Sequence, residues 1–459
     1  MAASFPSASR NSCDPARVDA WPLVTVAFGF VMAMLDVTVV NVALDDIRRD
    51  LGISLAGQVW IVDGYTLSFA ALLLAGGALA TRHGARRAYS AGLALFALAS
   101  LACAVAPNGP ALIAARTLQG VGAALFIPSS LALITAAYPE PRRRARMMGL
   151  WSAIVSGSAA SGPLVGGIMI AWLGWRAIFW LNVPIGLLGL WLAPRHLVDT
   201  PRAQQMLNLA GHACGALALA ALAGVLIEGP GAGWSAPVLV AGAVGVSAAF
   251  GFAAVQRHTR YPVLPRALLA DGGFRRINAI GLLINFGAYG ALFLMSLYNA
   301  QARHGGPLQT GLNLVPLMLM FTLGNLLAAR LLPRHGTALP LRAGLALAAA
   351  AALAAVFAAW AQHGATAWST DAFVALANLG AGTAIPAMTT RVMTVPDARH
   401  TNAAAAVLNA NRQIGALLGV AVVGIVLHGA GGWGVKLPGG LAAIAGAFAL
   451  AALLARADD

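Results

Sequence analysis

Long apolar stretches alternate with short polar segments along the chain from residue 21 to residue 456. Each apolar stretch has roughly 18 residues or more, which is enough to cross a hydrocarbon core about 30 Å thick. Because lipid offers no water to backbone N–H and C=O groups, runs rich in Ala, Leu and Gly predict helices that satisfy these groups internally. We predict fourteen spans, which are 21–44, 57–80, 88–106, 110–136, 147–171, 176–193, 208–228, 235–255, 276–300, 308–332, 340–361, 368–392, 401–427 and 438–456.

The polar segments divide the spans into groups of six, two and six. The longest predicted loop on the side of the N-terminus, about 256–275, follows the eighth span. We therefore predict an all-α polytopic membrane protein with four parts: a cytoplasmic tail 1–20, a six-helix bundle 21–200, two additional helices with linkers 201–265, and a second six-helix bundle 266–459.

Composition and charge support a membrane location and set the direction of the helices. The chain is 59% apolar and 10% charged, whereas soluble domains have about 25% charged residues. Of the 29 Lys and Arg residues, 22 lie in tails and loops on the N-terminal side, five lie in loops on the other side, and two lie within spans. This asymmetry predicts that both termini are cytoplasmic. The net charge of +14 is thus an orientation signal and does not indicate a nucleic-acid-binding surface.

Other sequence features restrict the class of protein further. The polar N-terminus lacks an apolar core with a cleavage site, which predicts an uncleaved tail. Three isolated cysteines form neither a disulfide framework nor a metal pattern. The scattered histidines and the lack of a phosphate-binding Gly-Lys-Ser/Thr run argue against a membrane-embedded enzyme and against ATP as the energy source.

Four ionisable residues lie deep inside predicted spans: Asp36, Asp63, Arg116 and Arg412. A charge at the bilayer centre costs roughly 2.5–3.5 kcal/mol, so each is a candidate for function. At 1.5 Å per residue, Asp36 lies roughly 12 Å from the outer end of its span, and Asp63 and Arg116 roughly 9 Å. The three therefore share a layer in which an arginine can balance carboxylates that gain and lose protons. The alternatives are a static ion pair, an outer vestibule around Asp63, and a helix-packing role for Arg412.

Small and polar residues mark two further spans. In the fourth span Arg116, Gln119 and Gly120 lie on one helix face, where the glycine permits close approach of a neighbouring helix. In the fifth span Gly162 and Gly166 have the same four-residue spacing, which indicates a tight helix contact. Pro163 removes an N–H within that span, so we expect a bend.

Two segments hint at an internal repeat. Residues 77–84 end the second span and residues 329–336 end the tenth, and both finish with Arg-His-Gly on the inner side. Parallel repeats with a site between them are typical of one large class of transporters. The alternative is that any inner turn favours Arg and Gly.

Taken together, these motifs resemble the fourteen-span drug:proton antiporters of the major facilitator superfamily. The resemblance runs in order along nearly the whole chain, through segments 35–44, 77–87, 116–122, 157–167, 175–184 and 412–415. It implies alternating access, with two six-helix halves rocking about a central cavity. It also implies that Asp36 is the titrating carboxylate, that Arg116 is its electrostatic partner, and that the fifth span couples the conformational change.

The resemblance assigns further residues by motif. The conformational candidates are Gln119, Gly120, Gly157, Gly162, Pro163, Gly166, Gly167, Gly77, Arg82, Gly84, Arg86, Arg412 and Gln413. By residue type alone, the candidates for lining an amphipathic substrate cavity are Asn41, Trp60, Tyr65, Phe126, Asn285 and Tyr289, and the alternative for the aromatic ones is a packing or lipid-facing role.

The sequence departs from the family pattern at four positions. Thr81 replaces an acid and Ala85 replaces a base in the inner loop motif, which puts the charge network of that loop in doubt. Asp45 stands where the first-span signature ends in Pro, and Asp63 stands where a neutral residue is expected. An additional acid offers a second proton or a cation site.

We therefore expect a proton-coupled exporter of small amphipathic or cationic organic compounds in the cell (inner) membrane. Its partners are a small-molecule substrate, protons and the lipid bilayer, with no cofactor and no nucleic acid. We expect a monomer, with an accessory periplasmic partner as the alternative to a transporter that works alone. The alternatives are an exporter of one specific metabolite, a membrane-embedded enzyme, and a channel or transport-dead sensor.

Overall fold

A computed structural model of the protein describes residues 20–202, 208–259, 261–361, 368–393 and 401–456. Within these residues the chain is helical and contains no β-strand, and fourteen helices are long and apolar enough to cross a membrane. These are α1 (Trp21–Leu51), α2 (Leu55–His83), α3 (Ala85–Ala104), α4 (Gly109–Ala137), α5 (Pro141–Leu173), α6 (Ala177–His196), α7 (Leu209–Ala232), α8 (Ala236–His258), α10 (Gly272–Leu297, continued by the π-helical turn Tyr298–Ala302), α11 (Pro307–His335), α12 (Ala338–Ala361), α13 (Trp368–Met393), α14 (Thr401–His428) and α15 (Trp433–Arg456). A short helix, α9 (Arg266–Ala270), precedes α10.

The predicted spans are confirmed in number and position, and several helices extend beyond them. Helix α1 continues past the predicted end at residue 44 through a charged turn and stops at Gly52, whose φ of 61° favours glycine. Helix α5 begins six residues before its predicted start, with a proline in its first turn. Residues 1–19 of the predicted cytoplasmic tail lie outside the described residues.

The six helices α1–α6 and the six helices α10–α15 pack by the same scheme. In the first bundle α4 packs against α2 and α3, and in the second bundle α13 packs against α11 and α12. The pairs α1–α5 and α10–α14 also correspond. Helices α2 and α11 end at equivalent places in Gly84 and Gly336, which both have positive φ. The corresponding contacts support the interpretation of the two bundles as repeats.

We call the side on which α1 begins and α15 ends the terminal side, and the opposite side the far side. The halves contact one another through α5 with α11 and through α2 with α14. On the far side, the Ser296 hydroxyl donates a short hydrogen bond to the Asn41 carbonyl. Nearby, Gln301 Nε2 donates to Asp45 Oδ1 at 3.3 Å. Because these contacts cross from one half to the other, they hold the far side closed.

The inserted helices α7 and α8 pack against each other at the edge of the molecule. Helix α7 also contacts α2 and α14, and therefore covers the line along which the two halves meet. Most of α8 is exposed outside this layer, including Val240 and Phe250, which are 61% and 73% exposed. Such exposed apolar side chains fit contact with lipid tails.

Candidate functional site

Asp36 lies in the middle of α1, and its carboxylate accepts hydrogen bonds from three side chains. Arg116 Nη1 forms a short ion pair with Oδ2. Gln119 Nε2 and Asn182 Nδ2 donate to Oδ1 at 3.2 and 3.0 Å. Asp36 is only 4% exposed. Because all three partners donate, the arrangement matches an ionised carboxylate, which can only accept.

Arg116 of α4 is among the largest fully buried side chains in the described part of the chain. Besides the ion pair, its Nε donates to the Ile61 carbonyl at 3.0 Å. The ring of Tyr65 lies 4.8 Å from the guanidinium carbon, and the ring of Phe179 lies 5.9 Å from it. Aromatic faces attract a cation at such distances. Groups from α1, α2 and α6 therefore hold the guanidinium of an α4 residue in place.

Gln119 connects the ion pair to α3. Its Oε1 accepts from Arg116 Nη1 at 2.7 Å and from Cys103 Sγ at 3.4 Å. Its Nε2 donates to Ser100 Oγ at 2.7 Å in addition to its bond with Asp36. Every hydrogen-bonding atom of the amide is thus used, which fixes its orientation and extends the network to a further helix.

Gly120 allows α2 to approach α4 closely enough for these contacts. A Cβ on Gly120 would collide with the Ser68 hydroxyl and the Tyr65 carbonyl. Ser68 Oγ donates to the Thr117 carbonyl at 2.8 Å, which ties the two helices together one turn away. A larger residue at this position would therefore displace the Tyr65 ring from Arg116.

In this cluster, proton uptake by the carboxylate would break the ion pair. The cluster comprises Asp36, Arg116, Gln119, Asn182 and Ser100. If Asp36 takes up a proton, Arg116 remains charged and loses its counter-ion. Removing one partner of a buried pair costs about 3–5 kcal/mol. Protonation of the carboxylate would therefore leave a buried positive charge without a counter-ion. Among the described residues there is no group of three or more His, Cys, Asp or Glu side chains that could hold a metal ion.

The structure places Asp63 apart from this cluster, although it lies at a similar depth. Asp63 is fully buried, and neither carboxyl oxygen has a hydrogen-bond partner among the described residues. It lies one turn from Val59 on a face of α2 that points toward α7 and α14. The Ile61 carbonyl and Gly64 instead face α4. The three charges that we expected in one layer therefore lie on different sides of α2, with Asp36 and Arg116 on one side and Asp63 on the other.

The glycines of α5 form close contacts with two different helices. A Cβ on Gly162 would overlap the side chain of Thr38 on α1, and one on Gly166 would lie 2.7 Å from Val39 Cγ1. Both contacts lie within one turn of Asp36, so α5 rests directly on the part of α1 that carries the carboxylate.

Gly167 contributes to the contact between the halves. A Cβ there would lie 2.9 Å from the Pro307 carbonyl of α11, and a Cβ on Gly311 would collide with the Pro163 carbonyl. Helix α5 continues through Pro163. In contrast, a Cβ on Gly157 would meet no atom within 4 Å, so this motif residue makes no comparable contact in this conformation.

The loop between α2 and α3 is held by a carboxylate from the end of α6. Asp199 Oδ1 accepts from the Arg86 backbone N–H at 3.1 Å, and Thr200 Oγ accepts from the Ala85 N–H at 2.9 Å. These bonds cap the first turn of α3. Gly84 has a φ of 97°, and a Cβ there would overlap the Asp199 carboxylate.

Asp199 supplies a carboxylate to the loop motif, which has Thr81 in place of its usual acid. Thr81 is exposed, and its hydroxyl donates to the Gly77 carbonyl at 3.1 Å within its own helix. Arg82 is exposed beside it. A carboxylate is therefore present at this loop, but it comes from the segment that follows α6 instead of position 81.

Arg412 and Gln413 lie in the second half, away from the Asp36 cluster. The Arg412 side chain packs on α10, with its Cγ 3.6 Å from where a Cβ on Gly281 would be. Its buried Nε has no hydrogen-bond partner in the described structure. Gln413 is half-buried on the same helix.

The predicted cavity residues of the first half have different environments. Asn41 lies between the halves, and its buried Oδ1 has no partner among the described residues. Trp60 Nε1 donates to Glu228 Oε1 at 2.7 Å, so its ring lies against α7. Tyr65 belongs to the surroundings of Arg116. Phe126 is fully buried, with its ring centroid 5.7 Å from that of Phe96.

Two predicted cavity residues lie on α10 in the second half. Asn285 is 3% exposed, and its Nδ2 donates to the Gly281 carbonyl at 2.9 Å. Tyr289 is half-buried one turn further along the same helix.

Sequence reasoning missed Ser100 and Asp199. Ser100 stands alone among the apolar residues 91–106, and Asp199 follows the end of a span, so neither has a distinctive sequence pattern. Asn182 carried a signal, because it lies in the segment that resembles the start of the sixth span in the family.

Comparison with known proteins identifies the family. The Major Facilitator Superfamily model matches residues 26–420. The Methylenomycin A resistance protein of Bacillus subtilis is 44% identical over 433 residues, covering 94% of this chain and 92% of that protein. The Methylenomycin A resistance protein of Streptomyces coelicolor is 46% identical over 413 residues, covering 90% of this chain and 86% of that protein.

A solved structure shares the fold at much lower sequence identity. It is the crystal structure of a POT family transporter in complex with 5-aminolevulinic acid, with a TM-score of 0.71 and 13% identity, covering 95% of this chain and 94% of that one. Since the family model spans residues 26–420 and both relatives align over at least nine-tenths of the chain, this multi-pass membrane protein belongs to the major facilitator superfamily.

Proposed function

We propose that this protein is a proton-coupled antiporter that exports small amphipathic or cationic organic compounds by alternating access. The observation that carries this proposal is the buried Asp36–Arg116 ion pair, enclosed by Gln119 and Asn182 within the first half. A carboxylate that is fully paired in one state, and that loses its arginine when protonated, supplies the chemistry that proton coupling requires. No cofactor enters the proposal, since the proton gradient supplies the energy.

The coupling passes along α1 to the contact between the halves. Asn41 lies five residues after Asp36, and its carbonyl accepts the short hydrogen bond from Ser296. Thr38, between them, packs on Gly162 of α5. A shift of α1 that follows protonation of Asp36 would therefore disturb the Asn41–Ser296 bond between the halves and the Thr38–Gly162 contact within the first half, which links the proton to the opening of the far side.

The relatives support export of antibiotic-like compounds. Both are named for resistance to methylenomycin A, so we take this compound as the first substrate to test. The shared name also favours a second candidate, which is an exporter dedicated to one compound or metabolite. In either case the protein moves its substrate without chemical conversion and acts as a carrier, with no enzymatic step.

The orientation follows from the charges of the loops. Clusters of arginines in the loops and adjoining helix turns at the connections after α2, α4 and α8 lie on the terminal side. By the positive-inside rule we assign this side to the cytoplasm. The closed far side then faces outward, so the conformation described here is one in which the protein receives its substrate from the cell.

The test is a susceptibility panel in a host that lacks its major efflux pumps. The panel contains methylenomycin A and a set of amphipathic and cationic antibiotics. We expect the wild type to raise resistance to at least one compound and Asp36→Asn to abolish that resistance. Gly149→Ala is the matched control, because a Cβ there meets no atom within 4 Å.

Everted membrane vesicles then test the energy source. An imposed pH gradient, acid inside, should drive uptake of the compound found in the panel, and Asp36→Asn should lose this uptake at equal protein level. Proton coupling is refuted if uptake persists after the gradient is collapsed or if Asp36→Asn still responds to the gradient. Resistance limited to methylenomycin A would favour the dedicated exporter.

A further inference from the structure

Asp63 lies where three helices meet, on the opposite side of α2 from the Asp36 cluster. Ala56 and Val59 lie two turns and one turn before it on the same face. Both line a narrow crevice formed by α2, α7 and α14. Asp63 is fully buried, and neither carboxyl oxygen has a partner in the part of the chain that the structure describes. It therefore lies one helical turn beyond the lining of the crevice, on the face of α2 that is turned toward α7 and α14.

The walls at this depth are apolar. A Cβ on Gly424 would lie 4.0 Å from the Cβ of Val59. Since α2 and α14 are antiparallel, this contact brings Val420 to the level of Asp63. On α7, Ala223 is fully buried, and Val420 is 2% exposed. An ionised carboxylate without a partner is strongly disfavoured in such surroundings, so the neutral acid is the form of Asp63 that fits this conformation.

Charged groups on the helices packed against α2 do not balance Asp63. Glu228 of α7 accepts from Trp60 Nε1, and Arg116 of α4 is paired with Asp36. Tyr65 of α2 lies against Arg116 on the other side of the helix. The remaining charged or titratable groups on these helices lie toward a helix end or at least two turns away, and they are Asp45, Asp46, Arg48, Arg49 and Asp50 on α1, Arg82 and His83 on α2, Arg86, Arg87, Tyr89 and Cys103 on α3, His212 and Cys214 on α7, and Arg412 and His428 on α14.

We propose that Asp63 is a second proton site, which makes closure of the far-side seam between α2 and α14 depend on proton uptake. When this seam opens, far-side water reaches the carboxyl, which then releases its proton to that water. When the seam closes, the carboxylate takes a proton back from the same water and becomes neutral. Asp63 thus controls the far side and carries no proton across the membrane.

The inserted helix α7 has a role in this mechanism. Its Glu228 bonds to Trp60, one turn from Asp63, and its apolar residues close the crevice from the lipid side. The proton of Asp63 can then exchange only through the opening between α2 and α14. The inference rests on the proposed alternating access, but it concerns a different acid and a different side of the protein from the Asp36 cluster.

Disulfide cross-linking of the seam tests the proposal. In a variant with Cys13, Cys103 and Cys214 replaced by alanine, Val59→Cys combined with Gly424→Cys places two Cβ atoms 4.0 Å apart, within the range for a disulfide. The rate of oxidative cross-linking is measured in membranes between acid and alkaline pH, without a substrate. Phe28→Cys with Gly189→Cys, whose Cβ atoms would be 3.5 Å apart within the first half, corrects for thiol ionisation.

After this correction, the cross-linking rate should fall as pH rises, by up to about tenfold per pH unit for one proton. Asp63→Asn, which imitates the neutral acid, should remove this dependence and keep the rate at its acid value. Asp36→Asn should retain it. The proposal is overturned if Asp63→Asn follows the same pH profile as its parent, or if only Asp36→Asn removes the dependence.

Two further outcomes separate this proposal for Asp63 from the proposed proton-coupled export. If Asp63→Asn fails to accumulate as a folded protein, the proposal is also wrong, because a site that is protonated in this state should accept the neutral isostere. If export proves independent of a pH gradient while cross-linking still depends on Asp63, the proton-coupled function fails and the far-side proton site stands.

Discussion

Neutralising Asp36 and Arg116 separately and together tests whether each charge is tolerated only because the other is present. The pair is almost fully buried, with side-chain exposures of 2% for Arg116 and 1% for Asp36. Asp36→Asn leaves the guanidinium charged without a counter-ion, and Arg116→Gln leaves the carboxylate in the same condition. We expect each single change to cost about 3–5 kcal/mol of stability.

The double variant should be more stable than either single one. With no buried charge left, the remaining loss comes from two or three hydrogen bonds, each worth about 1 kcal/mol. We therefore expect Asp36→Asn/Arg116→Gln to lie within about 2–3 kcal/mol of the wild type. The measurement is the apparent melting temperature in detergent micelles, where the double variant should melt above both singles but show no proton-driven transport.

The exposed pair Asp50–Arg176 provides the matched control. Arg176 Nη1 lies 2.6 Å from Asp50 Oδ2, and the side chains of Asp50 and Arg176 are 47% and 40% exposed. Asp50→Asn and Arg176→Gln should each change stability by no more than about 1 kcal/mol. If the double variant at the buried pair melts below both of its singles, the charges do not depend on each other and our account of the site is refuted.

Three other predictions concern packing and capping. Asp199→Ala should lower the free energy of unfolding by about 0.5–2 kcal/mol, because it removes a cap from α3, and Asp199→Asn should lower it less. Melting temperatures distinguish the two variants, and equal melting temperatures would contradict the capping role. Gly311→Val should abolish transport at normal expression, since its side chain would collide with the Pro163 carbonyl, whereas Gly149→Ala should transport like the wild type. Glu228→Gln should weaken the bond to Trp60, and it should make far-side cross-linking slower without affecting expression.

The sequence predicted the helices well because membrane insertion imposes a strong pattern. Apolar length was sufficient to count the fourteen spans and to place them along the chain. The resemblance to the family then indicated which charges matter. The structure brings Asp36 and Arg116 into direct contact, and it adds Asn182 as a third partner of the carboxylate.

The rotation of each helix about its axis could not be predicted in the same way. Asp63 has the depth of Arg116, but depth alone does not show which neighbour a side chain faces. That depends on the close packing allowed by Gly120 against α2 and on the position of α7. The capping carboxylate of Asp199 was hidden for a related reason, since it is 113 residues from its partner Arg86 in the chain.

The position of α7 across the seam limits how this protein could have gained or lost its inserted pair. Without residues 201–265, Trp60 and the buried acid at position 63 would face lipid tails, where a carboxyl without a partner is poorly tolerated. A twelve-helix ancestor or descendant would therefore need a neutral side chain at this position. An acid at this position is therefore expected only in chains that also carry the inserted pair, whereas the pair itself tolerates a neutral residue there.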